Sequence, residues 1–209
     1  MASKEPVTVV RKDKKKPLPQ IEDTIAAMQA SAYVAIAAGW LVWSAPFVVS
    51  KRNTAPAKEL DRRARWGILL VGIAYTLLWQ GKFWGRSVES WRIALGILFF
   101  LLAALLSWTA KRALGRQWRV DAGLSPDHEL VTSGPYRVVR HPIYSSMLCI
   151  LLGTGIIVTP WWLLSLSLLV FLAGTEIRVR IEDRLLSSRF GDRFADYQRR
   201  IPAYLPFVR

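Results

Sequence analysis

Cysteine, histidine and acidic residues are scarce in this sequence of 209 residues. It has one cysteine and two histidines, and 29 lysine and arginine residues stand against 15 aspartate and glutamate residues. Cys149 lies inside an apolar run, which excludes an intrachain disulfide and gives no indication of a metal cluster. Residues 1–20 are charged and contain proline, and they lack the short apolar core and small-residue cleavage site of a secretory signal peptide. Neither a disulfide framework nor a cleaved leader is therefore predicted.

The sequence is rich in long apolar runs. Hydrophobic residues make up 52% of it, and its ten tryptophans are typical of a membrane protein, where this residue gathers at the headgroup level. Several runs approach the roughly 20 residues that a helix needs to cross a bilayer. The runs cover residues 24–50, 66–85, 91–110 and 143–174. We predict a disordered basic tail over residues 1–20, followed by one all-α integral-membrane domain over residues 21–209.

The last apolar run is too long for one simple span. Pro160 near its middle removes a helix hydrogen bond, and the adjacent Trp161 and Trp162 prefer the membrane interface. We therefore predict a helical hairpin, with one span over residues 143–158 and the other over residues 161–174. This makes about five transmembrane helices in all.

The net charge of +14 raises the question of a nucleic-acid partner, but the basic residues flank the apolar runs. This is the pattern of residues that face the cytoplasm and anionic headgroups, so membrane lipids are the expected partners and nucleic acid is not. With five spans, 20 of the 29 basic residues fall on one side and nine on the other. The positive-inside rule then places the loop before the hairpin and the C-terminal segment in the cytoplasm. With five spans, the six basic residues of the N-terminal tail would lie on the non-cytoplasmic side of the membrane. An even number of spans would place the tail on the same side as the C-terminal segment.

The first polar island covers residues 128–146 and precedes the hairpin. The sequence at 133–135, Ser-Gly-Pro, predicts a chain reversal. His141-Pro142 then predicts a helix start, whose free backbone N–H groups and positive dipole end suit a carboxylate or phosphate. The same features also fit an ordinary helix start at the membrane interface, with its basic side chains on lipid headgroups.

The second polar island covers residues 176–196 and continues the last span with helical periodicity. Arg178 and Glu182 are four residues apart, so they face each other on one side of the helix. An ionisable pair this close to the bilayer is costly and usually functional. The alternative is a solvated cytoplasmic extension. Gly191 predicts the end of this helix, and a further short helix is predicted through Arg200.

The two islands together contain a specific series of residues. In order, they are Leu130-Val131-Thr132-Ser133-Gly134-Pro135-Tyr136, Arg140-His141-Pro142-Ile143-Tyr144, Arg178-(x3)-Glu182-Asp183-(x6)-Phe190-Gly191-(x5)-Tyr197 and Ile201-Pro202. This series resembles the isoprenylcysteine carboxyl methyltransferase family, which is related to the phospholipid N-methyltransferases. The resemblance covers roughly residues 126–207, and the order and spacing of its motifs are specific.

The resemblance implies a pocket for S-adenosylmethionine between the first island and the second, within a cofactor-binding and catalytic part over residues 110–209. The implied cofactor residues are His128, Glu129, Leu130 and Val131 at the adenosine end, Tyr136 packed on the cofactor, His141, Pro142, Ile143 and Tyr144 at the methionine end, and Glu182 on a polar group. Arg178 would meet the methyl acceptor, and Arg178 and Glu182 are the implied catalytic residues. The family pattern has glycine where this chain has Ser146 and glutamate where it has Asp183, so we assign Asp183 a lesser role.

The predicted function is therefore methyl transfer in the membrane to a lipophilic acceptor such as an isoprenylcysteine-like carboxylate. The acceptor would enter from the bilayer and the cofactor from the cytoplasm, and a fixed cation such as Arg178 suits a carboxylate. Three alternatives stay open. They are methylation of a phospholipid amine, an oxidoreductase similar to the membrane sterol reductases, and a helical membrane protein without enzymatic activity. Gly134-Pro135-Tyr136 and the short chain argue against the reductase.

Overall fold

The computed structural model describes residues 19–49, 59–81, 88–118, 123–124 and 128–206. Over these residues the chain forms helices α1 (Pro19–Val49), α2 (Ala64–Leu77), α3 (Ser90–Leu114), α4 (Pro142–Val158), α5 (Trp161–Phe190) and α6 (Asp192–Arg200). Two strands of two residues each, β1 (Glu59–Leu60) and β2 (Gly123–Leu124), pair antiparallel. The predicted helical class is confirmed for the described residues, apart from this small strand pair. Helix α1 begins at Pro19, within the last two residues assigned to the tail, and residues 1–18 lie outside the described residues, so the disordered tail stays a prediction.

Among the described residues, three helices are long and apolar enough to cross a membrane, namely Ala26–Val49, Ser90–Leu114 and Trp161–Phe190. Helices α2 and α4 are apolar but have only 14 and 17 residues, fewer than the roughly 20 that a perpendicular span needs. The predicted second run extended to residue 85, whereas α2 ends at Leu77 and residues 82–87 lie outside the described residues. The count of five spans therefore stays a prediction.

The helix boundaries in the C-terminal half follow from proline and glycine. Helix α4 has Pro142 at its first position, and α5 begins directly after Pro160, because proline lacks the N–H that a helix interior needs but fits a first turn. Helix α5 ends at Gly191, whose φ of 51° lies in the left-handed region that glycine adopts without strain. Between these limits α5 runs unbroken for 30 residues, so the apolar span and residues 176–190 of the second island form one continuous helix.

Helix α4 is the centre of the bundle. One buried apolar cluster around Phe100 joins α4 to α1 and α3, and another around Phe171 joins it to α2 and α5. The outer faces of α1 and α3 carry exposed large apolar side chains such as Leu41, Leu101 and Leu105. Helices with exposed apolar faces around a buried central helix are typical of a bundle surrounded by lipid.

Glycine permits a close approach of α2 and α5. A Cβ atom added at Gly67 would lie 2.6 Å from the carbonyl oxygen of Gly174 and 2.6 Å from Cγ of Arg178. A Cβ atom added at Gly174 would lie 2.8 Å from the carbonyl oxygen of Gly67. Small residues let helix backbones pack at short range in membrane proteins. This contact therefore fixes the distance between α2 and the charged half of α5.

We predict that Gly67→Ala destabilises the fold, whereas Gly72→Ala on the same helix does not. The added methyl group at Gly67 has no space, and overpacking of this kind costs about 1–3 kcal/mol, while nothing lies within 4 Å of a Cβ atom at Gly72. The thermal unfolding midpoint of each purified variant in detergent measures the difference. Equal midpoints for the two variants would contradict the close packing of α2 on α5.

Candidate functional site

A cavity of about 380 Å³ opens at one end of the bundle, where α1 and α3 end and α2 and α4 begin. Pairing of β1 with β2 brings the connector before α2 and the loop before α4 to this same end. Of the eleven residues predicted for the site, ten line the cavity: His128, Glu129, Leu130, Val131, Tyr136, His141, Ile143, Tyr144, Arg178 and Glu182. Pro142 does not line it and is fully buried at the start of α4. The structure thus brings the two polar islands together at one cavity.

The wall formed by α4 and α5 carries a hydrogen-bonded triad. The hydroxyl of Tyr144 donates to Oε1 of Glu182 over 2.5 Å, and Nε of Arg178 donates to the same hydroxyl over 2.5 Å. Nη2 of Arg178 also donates to Oε1 of Glu182 over 3.0 Å. Arg178 has only 6% of its surface exposed, so its charge must be balanced inside the protein. The guanidinium and the carboxylate are held in fixed positions at the cavity wall.

His141 lies between two carboxylates. Its Nε2 is 2.8 Å from Oδ1 of Asp183, and its Nδ1 is 3.4 Å from Oε2 of Glu182. Burial alone would lower the pKa of His141, but the hydrogen bonds to Asp183 and Glu182 and their negative charges raise it to about 9. The imidazole is therefore protonated at neutral pH, and both ring nitrogens donate. Asp183, to which the sequence assigned a lesser role, lies behind His141 and does not line the cavity.

The C-terminal segment supports this arrangement from outside. The backbone N–H groups of Arg140 and His141 donate to the carbonyl oxygens of Pro202 and Ala203, each over 2.8 Å. Nη2 of Arg140 donates to Oδ2 of Asp183 over 2.9 Å, and its other terminal nitrogen, Nη1, donates to the carbonyl of Ile201. Residues 201–203 therefore fix the position of the helix start at Pro142. The spacing of residues in the sequence did not predict these hydrogen bonds.

Tyr136 is presented by a tight turn. Residues Gly134–Arg137 form a 3₁₀ turn that begins with a φ of 59° at Gly134, as the Ser-Gly-Pro sequence predicts. The carbonyl of Tyr136 accepts a hydrogen bond of 2.6 Å from the Tyr197 hydroxyl. Burial, together with the nearby Tyr197 and Glu182, raises the pKa of Tyr136 well above its usual value. Its ring therefore lines the cavity as a neutral aromatic surface.

The opposite end of the cavity is apolar and was not predicted. Its lining includes Trp43 and Phe47 of α1, Ile68 and Val71 of α2, and Met147 of α4. From the sequence, these residues can be recognised only as parts of apolar helices. The sequence of such a helix does not indicate which of its faces lines a cavity.

Ser146, which replaces the glycine of the family pattern, is fully buried and accepts a hydrogen bond of 3.0 Å from Nε1 of Trp43. The hydroxyl therefore joins α4 to α1 beside the cavity, where glycine would offer no acceptor.

The lining residues fit the chemistry of S-adenosylmethionine. Residues 128–131 are neither helix nor strand, so their backbone groups are not committed to a helix ladder and can bind a heterocycle. Tyr136 and Tyr144 offer aromatic faces, which attract a sulfonium cation, and Glu182 offers a carboxylate for an amino group. Within the part of the chain that the structure describes, no three His, Cys, Asp or Glu residues are grouped so as to hold a metal ion.

Known proteins similar to this chain are methyltransferases and metal-resistance proteins. The family model described as phospholipid methyltransferase matches residues 91–193. The cobalt-zinc-cadmium resistance protein CzcN of Cupriavidus metallidurans is 33% identical over 143 residues, which are 68% of this chain and 62% of that protein. Protein-S-isoprenylcysteine O-methyltransferase B of Arabidopsis thaliana is 30% identical, over 59% of this chain and 64% of its own length. The protein-S-isoprenylcysteine O-methyltransferase of Schizosaccharomyces pombe is 29% identical, over 70% and 68%. The chain thus spans slightly less than two thirds of the first two.

We predict that the stability of the protein falls as the pH rises from 6.5 toward 9. The pKa of His141 is raised from 6.5 to about 9 on folding, so the folded state holds a proton that the unfolded state has lost in this range. The contribution is fully present below pH 6.5 and is lost as the pH passes about 9. Unfolding midpoints measured across this range should decline more steeply for the wild type than for His141→Gln. Parallel profiles for the two proteins would contradict the protonated state.

Proposed function

We propose that this chain is an S-adenosylmethionine-dependent methyltransferase, because it is similar to protein-S-isoprenylcysteine O-methyltransferases and matches the phospholipid methyltransferase family model over residues 91–193. We propose further that its acceptor is a lipophilic carboxylate. The observation that carries this proposal is the single cavity that joins a charged wall of α4 and α5 to an apolar end between α1 and α2. Such a cavity fits an acceptor with a charged head and an apolar chain.

The cofactor supplies a methyl group on a sulfonium, which transfers without a metal or a protein nucleophile. The protein then has to bind, orient and exclude water. In this proposal the backbone of residues 128–131 holds the adenosine end, Tyr136 covers the cofactor, and Glu182 binds its amino group. The start of α4, where His141 carries a positive charge between its two carboxylate partners, receives the methionine end of the cofactor.

The charges along the cavity favour a carboxylate acceptor over an amine. The charged lining residues are the cations Arg140, His141 and Arg178 and the carboxylates Glu129 and Glu182. Glu129 is exposed, so its charge is screened by water, whereas the three cations are buried or half-buried. Asp183 pairs with Arg140 and His141 from behind the wall. The guanidinium of Arg178 lies at the cavity wall itself, and its planar group of donors suits the carboxylate of an acceptor better than an ammonium group.

The family model leaves one alternative acceptor, since its description is phospholipid methyltransferase. If a phospholipid amine were the acceptor, Arg178 would serve only as the partner of Glu182 and Tyr144. Incubating the purified protein with labelled S-adenosylmethionine and either an S-farnesylated cysteine or phosphatidylethanolamine separates the two. Label in the prenylated acid supports the proposal, and label only in the phospholipid selects the alternative. Absence of cofactor binding in calorimetry would overturn both.

We predict that Glu182→Gln weakens binding of S-adenosylmethionine by about 10- to 100-fold. A hydrogen bond to a charged group contributes roughly 1.5–3 kcal/mol, and each 1.4 kcal/mol is a factor of ten in affinity. Titration calorimetry in detergent measures the change. Glu176→Gln is the matched control, because Glu176 lies on the same helix, pairs with Arg180 and does not line the cavity. Equal affinities for the two variants would exclude a cofactor role for Glu182.

We predict that Arg178→Lys lowers turnover of a prenylated acid about tenfold or more while the dissociation constant of the cofactor changes little. Lysine keeps the charge but cannot donate to Tyr144, Glu182 and an acceptor carboxylate through a planar fork. Arg180→Lys is the control, since Arg180 is exposed on nearly the opposite face of α5 from Arg178. A loss of cofactor affinity that matches the loss of turnover would place Arg178 in the cofactor site instead.

A further inference from the structure

Two tryptophans of α1 make matching hydrogen bonds to α4. Nε1 of Trp43 donates to the hydroxyl of Ser146 over 3.0 Å, and Nε1 of Trp40 donates to the hydroxyl of Thr154 over 3.1 Å. Both hydroxyl residues are fully buried. The two indole rings pack edge to face with their centroids 5.5 Å apart. Each tryptophan is thus fixed at its polar edge as well as by packing.

Only one of these two tryptophans reaches the cavity. Trp43 lines it, together with Val71 and Met147, whereas Trp40 and Tyr75 do not. These two residues lie one turn further from the charged wall along α1 and α2. They form a second aromatic layer behind Trp43, with their ring centroids 5.3 Å apart. Trp43 therefore belongs to the deep end of the cavity.

The second aromatic layer, formed by Trp40 and Tyr75, limits the depth of the cavity. The Tyr75 hydroxyl donates to the carbonyl of Met147 over 2.7 Å, and its ring packs on Phe171 at 6.2 Å. An apolar chain that extends beyond Val71 and Met147 must displace Trp43, because Trp40 and Tyr75 are themselves fixed.

The hydroxyl of Ser146 is oriented to hold Trp43. It donates to the carbonyl of Ile143 over 2.7 Å, which leaves its lone pairs for the indole N–H. A buried indole N–H that loses its partner costs about 1–3 kcal/mol, so the ring keeps this orientation while the hydroxyl is present.

We propose that Trp43, held by Ser146, determines the length of the apolar chain that the cavity accepts. The proposal rests on the proposed function, since it concerns the apolar part of the acceptor. The indole closes the deep end, so a short prenyl chain fits and a longer one is excluded. Removal of the hydroxyl frees the ring to turn aside and lengthens the space.

The test compares Ser146→Ala with Thr154→Val. Each variant removes the acceptor of one indole between the same two helices, but only Ser146→Ala acts at the cavity. Binding of S-geranyl, S-farnesyl and S-geranylgeranyl cysteine, each with a fluorophore on its amino group and a free carboxylate, is measured in detergent without methyl transfer. For Ser146→Ala we expect the affinity for the longest chain, relative to the shortest, to rise about tenfold over the wild type, the scale of a single methylene in an apolar pocket. Thr154→Val should keep the wild-type ratio.

Trp43→Phe provides a second variant, because a smaller ring without an N–H should shift the ratio in the same direction. An unchanged ratio in Ser146→Ala and Trp43→Phe would overturn the inference, as would an equal shift in Thr154→Val or a wild type that binds none of the acids. Methyl transfer is assayed separately on the same acids. A length-dependent wild type that transfers no methyl group would overturn the proposed function and leave the length limit standing.

Discussion

Two adjacent carboxylates of α5 share one imidazole, and the geometry of the cavity depends on them. Glu182 and Asp183 point in different directions because successive residues of a helix are about 100° apart. Glu182 lines the cavity with Arg178, whereas Asp183 does not line it and pairs with Arg140. His141 contacts both. Since buried ions are stable only when paired, the network fixes the start of α4 against α5. The two islands, some 40 residues apart in sequence, meet because of these pairs.

The polar network needs support from the end of the chain. Phe194 and Tyr197 of helix α6 are buried, and the Tyr197 hydroxyl donates to the carbonyl of Tyr136 in the loop. The carbonyl groups of the segment after α6 accept hydrogen bonds from the backbone N–H groups of Arg140 and His141. These N–H groups lie ahead of the first turn of α4, where no helical carbonyl can accept them. The C-terminal segment therefore satisfies buried donors and holds His141 at the same time, which places it within the site rather than beside it.

The residues of the charged wall of the cavity could be predicted from the sequence, whereas those of its apolar end could not, for a physical reason. Proline and glycine start and end helices, so the helix boundaries at Pro142, Pro160 and Gly191 could be predicted directly. The four-residue spacing of Arg178 and Glu182 predicted that they share one helix face. A helix surrounded by lipid and protein is apolar on all sides, so no periodicity separates Trp43, which lines the cavity, from exposed neighbours such as Leu41. The pairing of His141 with Asp183 was also invisible, because long-range contacts leave no local pattern.

The glycine contact between α2 and α5 lies next to the charged wall of the cavity. The stem of Arg178 runs across Gly67, where a Cβ atom would lie 2.6 Å from its Cγ. A larger residue at position 67 would push either α2 or Arg178 outward. Because Arg178 contacts Tyr144 and Glu182 from this position, a change in helix packing would also move its guanidinium relative to the cavity wall. Glycine at this position therefore contributes to the chemistry of the cavity through the position of a cation, although it lines no part of the cavity itself.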